Sequence, residues 1–284
     1  MQSGQIIKLL GGFYTVKTES GEIFETRARG NFRKRGLAPV VGDFVDFEND
    51  YILEIHARKN ELIRPQIANI DQMIVVMSSV SPDFSRNLLD RYLAYLENKR
   101  IAAIIYLTKQ DILTNYAEIA KDYETIGYSV LQEPQALVEL LQGKTTAFMG
   151  QTGAGKSTLL NKIAPNLELA TAETSDKLGR GRHTTRHVEL YAIDCAQIAD
   201  TPGFSSLDYD IDNPPDLNRS FIDIYKLSAG CKFRECTHTH EPECAVKVAL
   251  ETHDLLQSRY DNYCQLLTEI NHTRETYAKN AKKQ

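Results

Sequence analysis

Three glycines, a lysine and a serine carry the chemistry of this chain. Gly150-Gln151-Thr152-Gly153-Ala154-Gly155-Lys156-Ser157-Thr158 has the G-x-x-x-x-G-K-[ST] spacing of a phosphate-binding loop. The glycines let successive backbone N–H groups turn inward on a β-phosphate. Lys156 reaches the β and γ oxygens, and the Ser157 hydroxyl ligates Mg²⁺ beside a nucleoside triphosphate. Such a loop has to sit between a buried strand and a helix whose positive dipole end faces the phosphates. Residues 145–149 (TTAFM) read as that strand and 157–163 (STLLNKI) as that helix.

A second set of residues precedes the first. The apolar run 101–107 (IAAIIYL) ends in Thr108-Lys109-Gln110-Asp111, a T-K-x-D tetrad suited to reading guanine. The Asp111 carboxylate accepts from N1–H and the 2-amino group, where adenine offers an acceptor and nothing, and the Lys109 stem lies along the base plane. After the phosphate loop come residues 179–186 (GRGRHTTR), in which Thr184 and Thr185 are candidates to ligate Mg²⁺ and sense a γ-phosphate. Then comes Asp200-Thr201-Pro202-Gly203, where Asp200 would hold Mg²⁺ through water and the Gly203 N–H would meet the γ-phosphate. An ordinary GTPase places the guanine tetrad last. Here it comes first, so the set describes a circularly permuted P-loop GTPase, ordered tetrad, phosphate loop, switch, D-x-P-G.

The apolar pattern supplies the elements that must position these residues. Runs such as 72–77 (QMIVVM), alternating with a helical stretch near 86–99, indicate a parallel sheet covered on both faces. Residues 1–65 instead show five short alternating segments broken by glycine, which suits an N-terminal β-barrel of the OB type. A basic loop in that region, with Arg27, Arg29, Arg33, Lys34 and Arg35 around Phe32, suits RNA: the cations neutralise phosphates and Phe32 stacks on a base. Beyond the break at Asn213-Pro214-Pro215, Cys231, Cys236, His238 and Cys244 supply three thiolates and an imidazole. That set satisfies one structural, tetrahedral Zn²⁺, with His240 as a competing fourth ligand. Cys195 and Cys264 read as core residues. The stretch 244–281 reads as helical, with Tyr260, Tyr263, Leu267 and Ile270 at helical spacing. The expected organisation is an OB barrel over 1–65, a GTPase domain over 66–215 and a mainly α, zinc-binding domain over 216–284.

Composition narrows the function. The net charge of -5 divides into +1, -6 and 0 over these three parts, so RNA contact has to come from local patches and not from bulk charge. No run of about 18 apolar residues is present to span a bilayer and the N-terminus lacks an apolar signal core, so a cytoplasmic protein without membrane contact is expected.

With these motifs in this order, the chain resembles the small ribosomal subunit biogenesis GTPase family (RsgA type) over nearly its whole length. Val41-Gly42-Asp43 in the barrel adds to the likeness. The resemblance implies GTP hydrolysis to GDP stimulated by the 30S subunit, a role in late subunit maturation, and a barrel and zinc domain that grip 16S rRNA; a monomer is expected. One departure concerns the guanine site. Residues 128–131 run into Gln132-Glu133-Pro134 where the family uses a Ser-Ala type turn, so the contacts to the base's O6 are left unassigned. A P-loop nucleotide kinase or ATPase with a module for another RNA is the alternative, against which the tetrad argues. A nucleotide-inactive RNA scaffold is disfavoured because Lys156, Ser157 and Asp200 are intact. Many GTPases position the attacking water with a Gln after the D-x-x-G glycine. Here that place is Phe204, so slow intrinsic hydrolysis is expected, with a partner completing the site and His183 the nearest polar candidate to position water.

Overall fold

The computed structural model describes residues 1–34, 36–109, 116–165, 188–193, 195–200, 211 and 213–281. The chain begins with strands β1 (Gln2–Leu10), β2 (Phe13–Thr18) and β3 (Ile23–Ala28), a single helical turn α1 (Asn31–Lys34), and strands β4 (Phe44–Glu48) and β5 (Tyr51–Ile55). They pair in the order β1-β2-β3-β5-β4, and β4 returns to β1, closing the barrel so that no edge is left unpaired. Ile6, Val16, Val45, Phe47 and Ile52 fill its interior.

Phe32 corrects an expectation. It is only 4% exposed and belongs to this core, so it closes the barrel and is not presented to a base. Arg27, Arg29 and Lys34 are exposed. The Val41-Gly42-Asp43 segment also has a structural explanation. A Cβ on Gly42, at φ 92°, would lie 2.0 Å from the Ala68 carbonyl, so only glycine lets the barrel approach the hairpin of β6 (Glu61–Leu62) and β7 (Ile67–Ala68). The buried Asp43 accepts from Arg58 Nε at 2.7 Å, Arg58 Nη2 at 2.8 Å and the Val40 N–H at 2.8 Å.

The second unit is a sheet of β8 (Gln72–Ser78), β9 (Ala102–Thr108), β10 (Ser129–Leu131), β11 (Thr145–Met149), β12 (Glu189–Ile193) and β13 (Ala196–Asp200). Its order is β10-β9-β8-β11-β13-β12; every neighbouring pair is parallel except β12 with β13. Strand β8 is buried along its whole length. Met73, Val75 and Met77 pack on the side covered by α2 (Arg86–Asn98) and α3 (Tyr116–Ile126). Ile74 and Val76 pack on the side of α4 (Pro134–Leu141) and α5 (Lys156–Ile163). This two-sided burial explains a continuous apolar run in place of alternation. Sheet and barrel meet where Lys8 of β1 pairs with Glu189 of β12, their side chains 2.8 Å apart, and where Gln197 Nε2 donates to Gln5 Oε1 at 2.9 Å.

The proline pair read as a break is a helix start. Asn213 caps α6 (Pro214–Ser220), accepting from the Asp216 N–H at 2.9 Å, with proline in the first turn. Helices α7 (Ile222–Ser228), α8 (Ala245–Glu251) and α9 (Gln257–Ala281) follow, so the stretch expected as helical is two helices. Their core of Leu217, Phe221, Ile224, Val246 and Tyr263 takes in Ala94 of α2.

Arg259 locks this module to the sheet domain. The side chain is 1% exposed; Nη1 donates to Asp90 at 2.9 Å, and Nη2 and Nε donate to Asp223 at 2.9 and 3.1 Å. Asp90 also accepts from Tyr123 Oη at 2.8 Å and Asn262 Nδ2 at 2.6 Å, and the guanidinium lies 4.5 Å over the Phe221 ring. Removing one partner of such a cluster leaves uncompensated buried charge. Arg259→Ala should therefore cost about 3–5 kcal/mol, against under about 1 kcal/mol for Arg91→Ala in the more exposed Arg91–Glu269 pair. Urea unfolding of the full chain checks both; equal effects would show that the buried cluster is not what holds the module.

Candidate nucleotide and metal sites

The phosphate loop leaves β11 against its neighbour. Gly150, at φ 145°, runs so close to β8 that a Cβ would sit 2.1 Å from the Val76 carbonyl. After Gln151, Thr152, Gly153 and Ala154, Gly155 takes a left-handed conformation and caps α5, which carries Lys156, Ser157 and Thr158. Lys156 Nζ donates to the Gly150 carbonyl at 2.6 Å and the Gln151 carbonyl at 3.2 Å. Burial lowers its pKa below the ordinary lysine value, an effect that a polyanion in the loop would oppose.

The guanine tetrad is braced against this loop. Thr108 Oγ1 donates to the Ala154 carbonyl at 2.8 Å. Lys109 Nζ donates to the carbonyls of Val80 at 3.0 Å, Ser81 at 2.6 Å and Gly153 at 3.2 Å. Lys109 itself has φ 57°, and Ser79 fixes it there: its hydroxyl donates to the Lys109 carbonyl and its N–H to the Thr108 carbonyl at 3.1 Å. The lysine thus ties tetrad, phosphate loop and β8–α2 loop together, a role beyond laying its stem on a base. A cavity of about 340 Å³ opens beside it, lined by Thr108, Lys109, Gly155 and Thr158 and by Tyr106 and Gln132-Glu133-Pro134. Its size falls within the range of small-molecule sites. Tyr106 and Ser79 had no signal in the sequence, because each acts through a backbone carbonyl.

Gln110, Asp111, His183, Thr184, Thr185, Gly203 and Arg35 lie outside the described residues, and of Asp200 and Arg33 the backbone alone is described: Asp200 ends β13 and Arg33 lies in α1.

In the C-terminal module the ligand atoms of Cys231, Cys236, His238 and Cys244 all lie within 4.8 Å of one another. Cys231 and Cys244 Sγ are 3.9 Å apart, and His238 Nδ1 lies 3.6 and 3.4 Å from them. Metal–sulfur and metal–nitrogen bonds of about 2.3 and 2.0 Å at tetrahedral angles place ligand atoms roughly 3.5–3.8 Å apart, so the set fits a four-coordinate metal. Burial, with Cys244 adjacent, pushes the Cys236 thiol up to about 12, so its thiolate needs a cation. His240 is exposed and contacts Thr239 Oγ1 at 3.0 Å; it is not part of the cluster.

The ligand loop is fastened from both sides. Burial alone would raise the Glu241 carboxyl, but the Thr237 hydroxyl and N–H, its own N–H and the Thr239 N–H hold it down at about 2. Tyr260 and Tyr263 on α9 donate to the His238 and Thr237 carbonyls at 2.7 and 3.2 Å. The remaining cysteines differ from expectation in one case: Cys264 is half-buried on α9, whereas Cys195 is exposed in the turn between β12 and β13.

This geometry defines a class: a P-loop GTPase fold whose base-reading strand precedes the phosphate loop, flanked by a closed barrel and a helical module with a Cys₃His cluster. Comparison with known proteins agrees. A family model described as RsgA GTPase matches residues 55–210, and one described as RsgA N-terminal domain matches residues 3–52. The small ribosomal subunit biogenesis GTPase RsgA of Lactococcus lactis subsp. lactis (strain IL1403) is 60% identical over 306 aligned positions, spanning 100% of this chain and 99% of that protein. Its counterpart in Streptococcus pyogenes serotype M6 is 57% identical over 97% of this chain and 98% of its own. Among solved structures, YloQ, a circularly permuted GTPase, superposes with a TM-score of 0.81 at 42% identity over 96% of each chain. YjeQ from Thermotoga maritima superposes with a TM-score of 0.82 at 30% identity over 95% of this chain and 98% of that one. The chain belongs to the RsgA GTPase family. Among the described residues no helix is long and apolar enough to cross a membrane.

Lys156→Ala should lower GTP turnover on the order of 10²-fold or more, by analogy with loss of a group that stabilises developing charge; near-normal turnover would exclude the phosphate-loop role. Chelation, or Cys236→Ser, should open the 231–244 loop to protease while leaving GDP binding intact, because metal binding supplies much of the folding free energy of such a loop. Metal analysis beside limited proteolysis reads this; a protease-resistant loop in metal-free protein would refute it.

Proposed function

We propose that this chain is a GTP-hydrolysing factor that docks on the small (30S) ribosomal subunit, contacts 16S rRNA, and acts late in the subunit's maturation, with hydrolysis stimulated by that subunit. The observation that carries the reading is end-to-end similarity to proteins named small ribosomal subunit biogenesis GTPase RsgA, joined to a chain that keeps Lys156, Ser157, Asp111 and Asp200.

In this reading Thr108, Lys109, Gln110 and Asp111 hold guanine, and residues 150–158 hold the phosphates. Mg²⁺, when bound, neutralises charge on the β and γ oxygens. Ser157 would ligate it directly, Asp200 through water, and Thr184 or Thr185 once the γ-phosphate is present, with the Gly203 N–H facing that phosphate. The Cys231, Cys236, His238 and Cys244 cluster takes zinc in a structural role, since four protein ligands leave no open position. Arg27, Arg29, Arg33, Lys34 and Arg35 supply phosphate contacts on RNA. The protein works as a cytoplasmic monomer with GTP and GDP as its nucleotides.

Phe204 stands where a water-positioning glutamine would be, so the free protein is slow and the subunit completes the site, with His183 the candidate to order water. The test measures turnover alone, with 30S and with 50S subunits, for wild type and His183→Ala. Stimulation by 30S should be large, given that completing such a site is worth about 10³–10⁵ in other GTPases, and should collapse in the variant. No stimulation of wild type removes the proposal, and undiminished stimulation of His183→Ala removes His183 from it.

A further inference from the structure

The base cavity has a wall that the guanine tetrad does not supply. Strand β10 runs out at Leu131 into Gln132 and Glu133, and Pro134 opens α4. These three residues line the cavity together with Thr108 and Lys109. What holds them there is Tyr106 of β9, two positions before the tetrad. It is 5% exposed, and its hydroxyl donates to the Gln132 carbonyl at 2.6 Å. Burial, followed by the nearby Glu133 charge, raises its pKa, so the hydroxyl keeps the proton it donates.

The peptide plane carries the argument further. In a trans peptide the C=O of one residue and the N–H of the next point in opposite directions. Fixing the Gln132 carbonyl on Tyr106 therefore fixes the direction of the Glu133 N–H. Pro134 has no N–H to offer, so the next backbone donor beyond Glu133 lies inside α4. Glu133 is extended, at φ -95° and ψ 130°, and caps α4 without a side-chain hydrogen bond, so this donor stands at the positive end of the helix dipole. Guanine and adenine differ at C6 by an acceptor oxygen against a donor amine. A fixed N–H on this wall donates to the first and repels the second.

We propose that Tyr106 is a specificity-positioning residue: by holding the Gln132 carbonyl it aims the Glu133 N–H at the C6 oxygen of a guanine nucleotide, complementing a carboxylate that reads N1–H and the 2-amino group. The inference rests on the guanine reading of this cavity. The probes are GDP, 6-thio-GDP (a weaker acceptor at C6), IDP (C6 oxygen kept, 2-amino group lost) and ADP, competed against a fluorescent guanine nucleotide on the full chain. The variants are Tyr106→Phe, which keeps the ring in the core and removes the donor, and Glu133→Pro, which deletes the N–H at an extended residue.

Both variants should weaken GDP about three- to tenfold, the worth of one hydrogen bond, and weaken 6-thio-GDP less, so that the preference for GDP over 6-thio-GDP shrinks. The preference for GDP over IDP should stay unchanged, since the 2-amino group is read elsewhere. Equal weakening of all four nucleotides would reduce Tyr106 to a structural role and overturn the proposal, as would unchanged ratios in both variants. Unchanged ratios in Glu133→Pro alone would assign the oxygen to another donor, such as Lys162, and also overturn it. If wild type fails to separate GDP from ADP, it is the guanine reading that falls, an outcome distinct from these.

Discussion

A single buried guanidinium decides how the parts of this chain sit together. Taking Arg259 and two aspartates out of water costs several kcal/mol per ion, and the fold offsets it by saturating the cluster: Asp223 accepts twice from Arg259, and Asp90 accepts from Arg259, Tyr123 and Asn262. The donors come from α3 and α9, and the acceptors from α2 and α7, so a shift of α2, α7 or α9 strands a charge and a shift of α3 takes a donor from Asp90. The same α9 carries Tyr260 and Tyr263, which hold the cysteine loop. At its other end the cluster reaches α2, which follows the loop gripping Lys109. The Cys₃His cluster and the cavity beside Lys109 are thereby parts of one packed body.

Within that body the nucleotide site is a set of loops bracing one another. The phosphate loop gives carbonyls to Thr108 and Lys109, and the β8–α2 loop gives carbonyls to Lys109. Backbone acceptors held this way have little freedom left to lose when a ligand arrives, which lowers the ordering cost of binding. The permuted order adds a second property. The chain leaves β13 at Asp200 and enters α6 at Pro214, so the segment expected to meet the γ-phosphate is followed directly in the sequence by the helices beside Arg259.

Features governed by local chemistry were legible in the sequence. The strand, loop and helix around residues 145–163 and the clustering of Cys231, Cys236, His238 and Cys244 show in the letters because residue types recur there at fixed spacing, whereas the tetrad's Gln110 and Asp111 lie outside the described residues. The strands of the sheet show because two-sided burial demands unbroken apolar runs. Phe32 was misread for a definite reason: five cations surround it, and nothing in that run tells which residue of α1 turns inward to stop the barrel. Cys195 has Ile193 and Ala196 close by in sequence yet is exposed between β12 and β13, because nearness to apolar residues in sequence is not burial in space. Arg259 and Asp90 stand 169 positions apart, and no periodicity links them. Tyr106, Ser79 and the Lys109 ammonium act on carbonyls, which every residue carries, so their partners leave no trace in the letters.

The strand order also bears on how the protein is made. Synthesis delivers β8, β9 and β10 before β11, yet β11 lies beside β8 in the finished sheet. Until residues 145–149 have left the ribosome, β8 presents an unpaired edge made entirely of residues destined for burial, the kind of edge on which chains aggregate. In a GTPase of ordinary order the phosphate-loop strand is among the first made and waits for its neighbours. Here the base-reading half of the site emerges with its apolar flank open, and the phosphate-holding half closes it. A nascent chain stalled before that point carries half a nucleotide site and a sticky sheet, which makes prompt elongation through β11 a condition for soluble product.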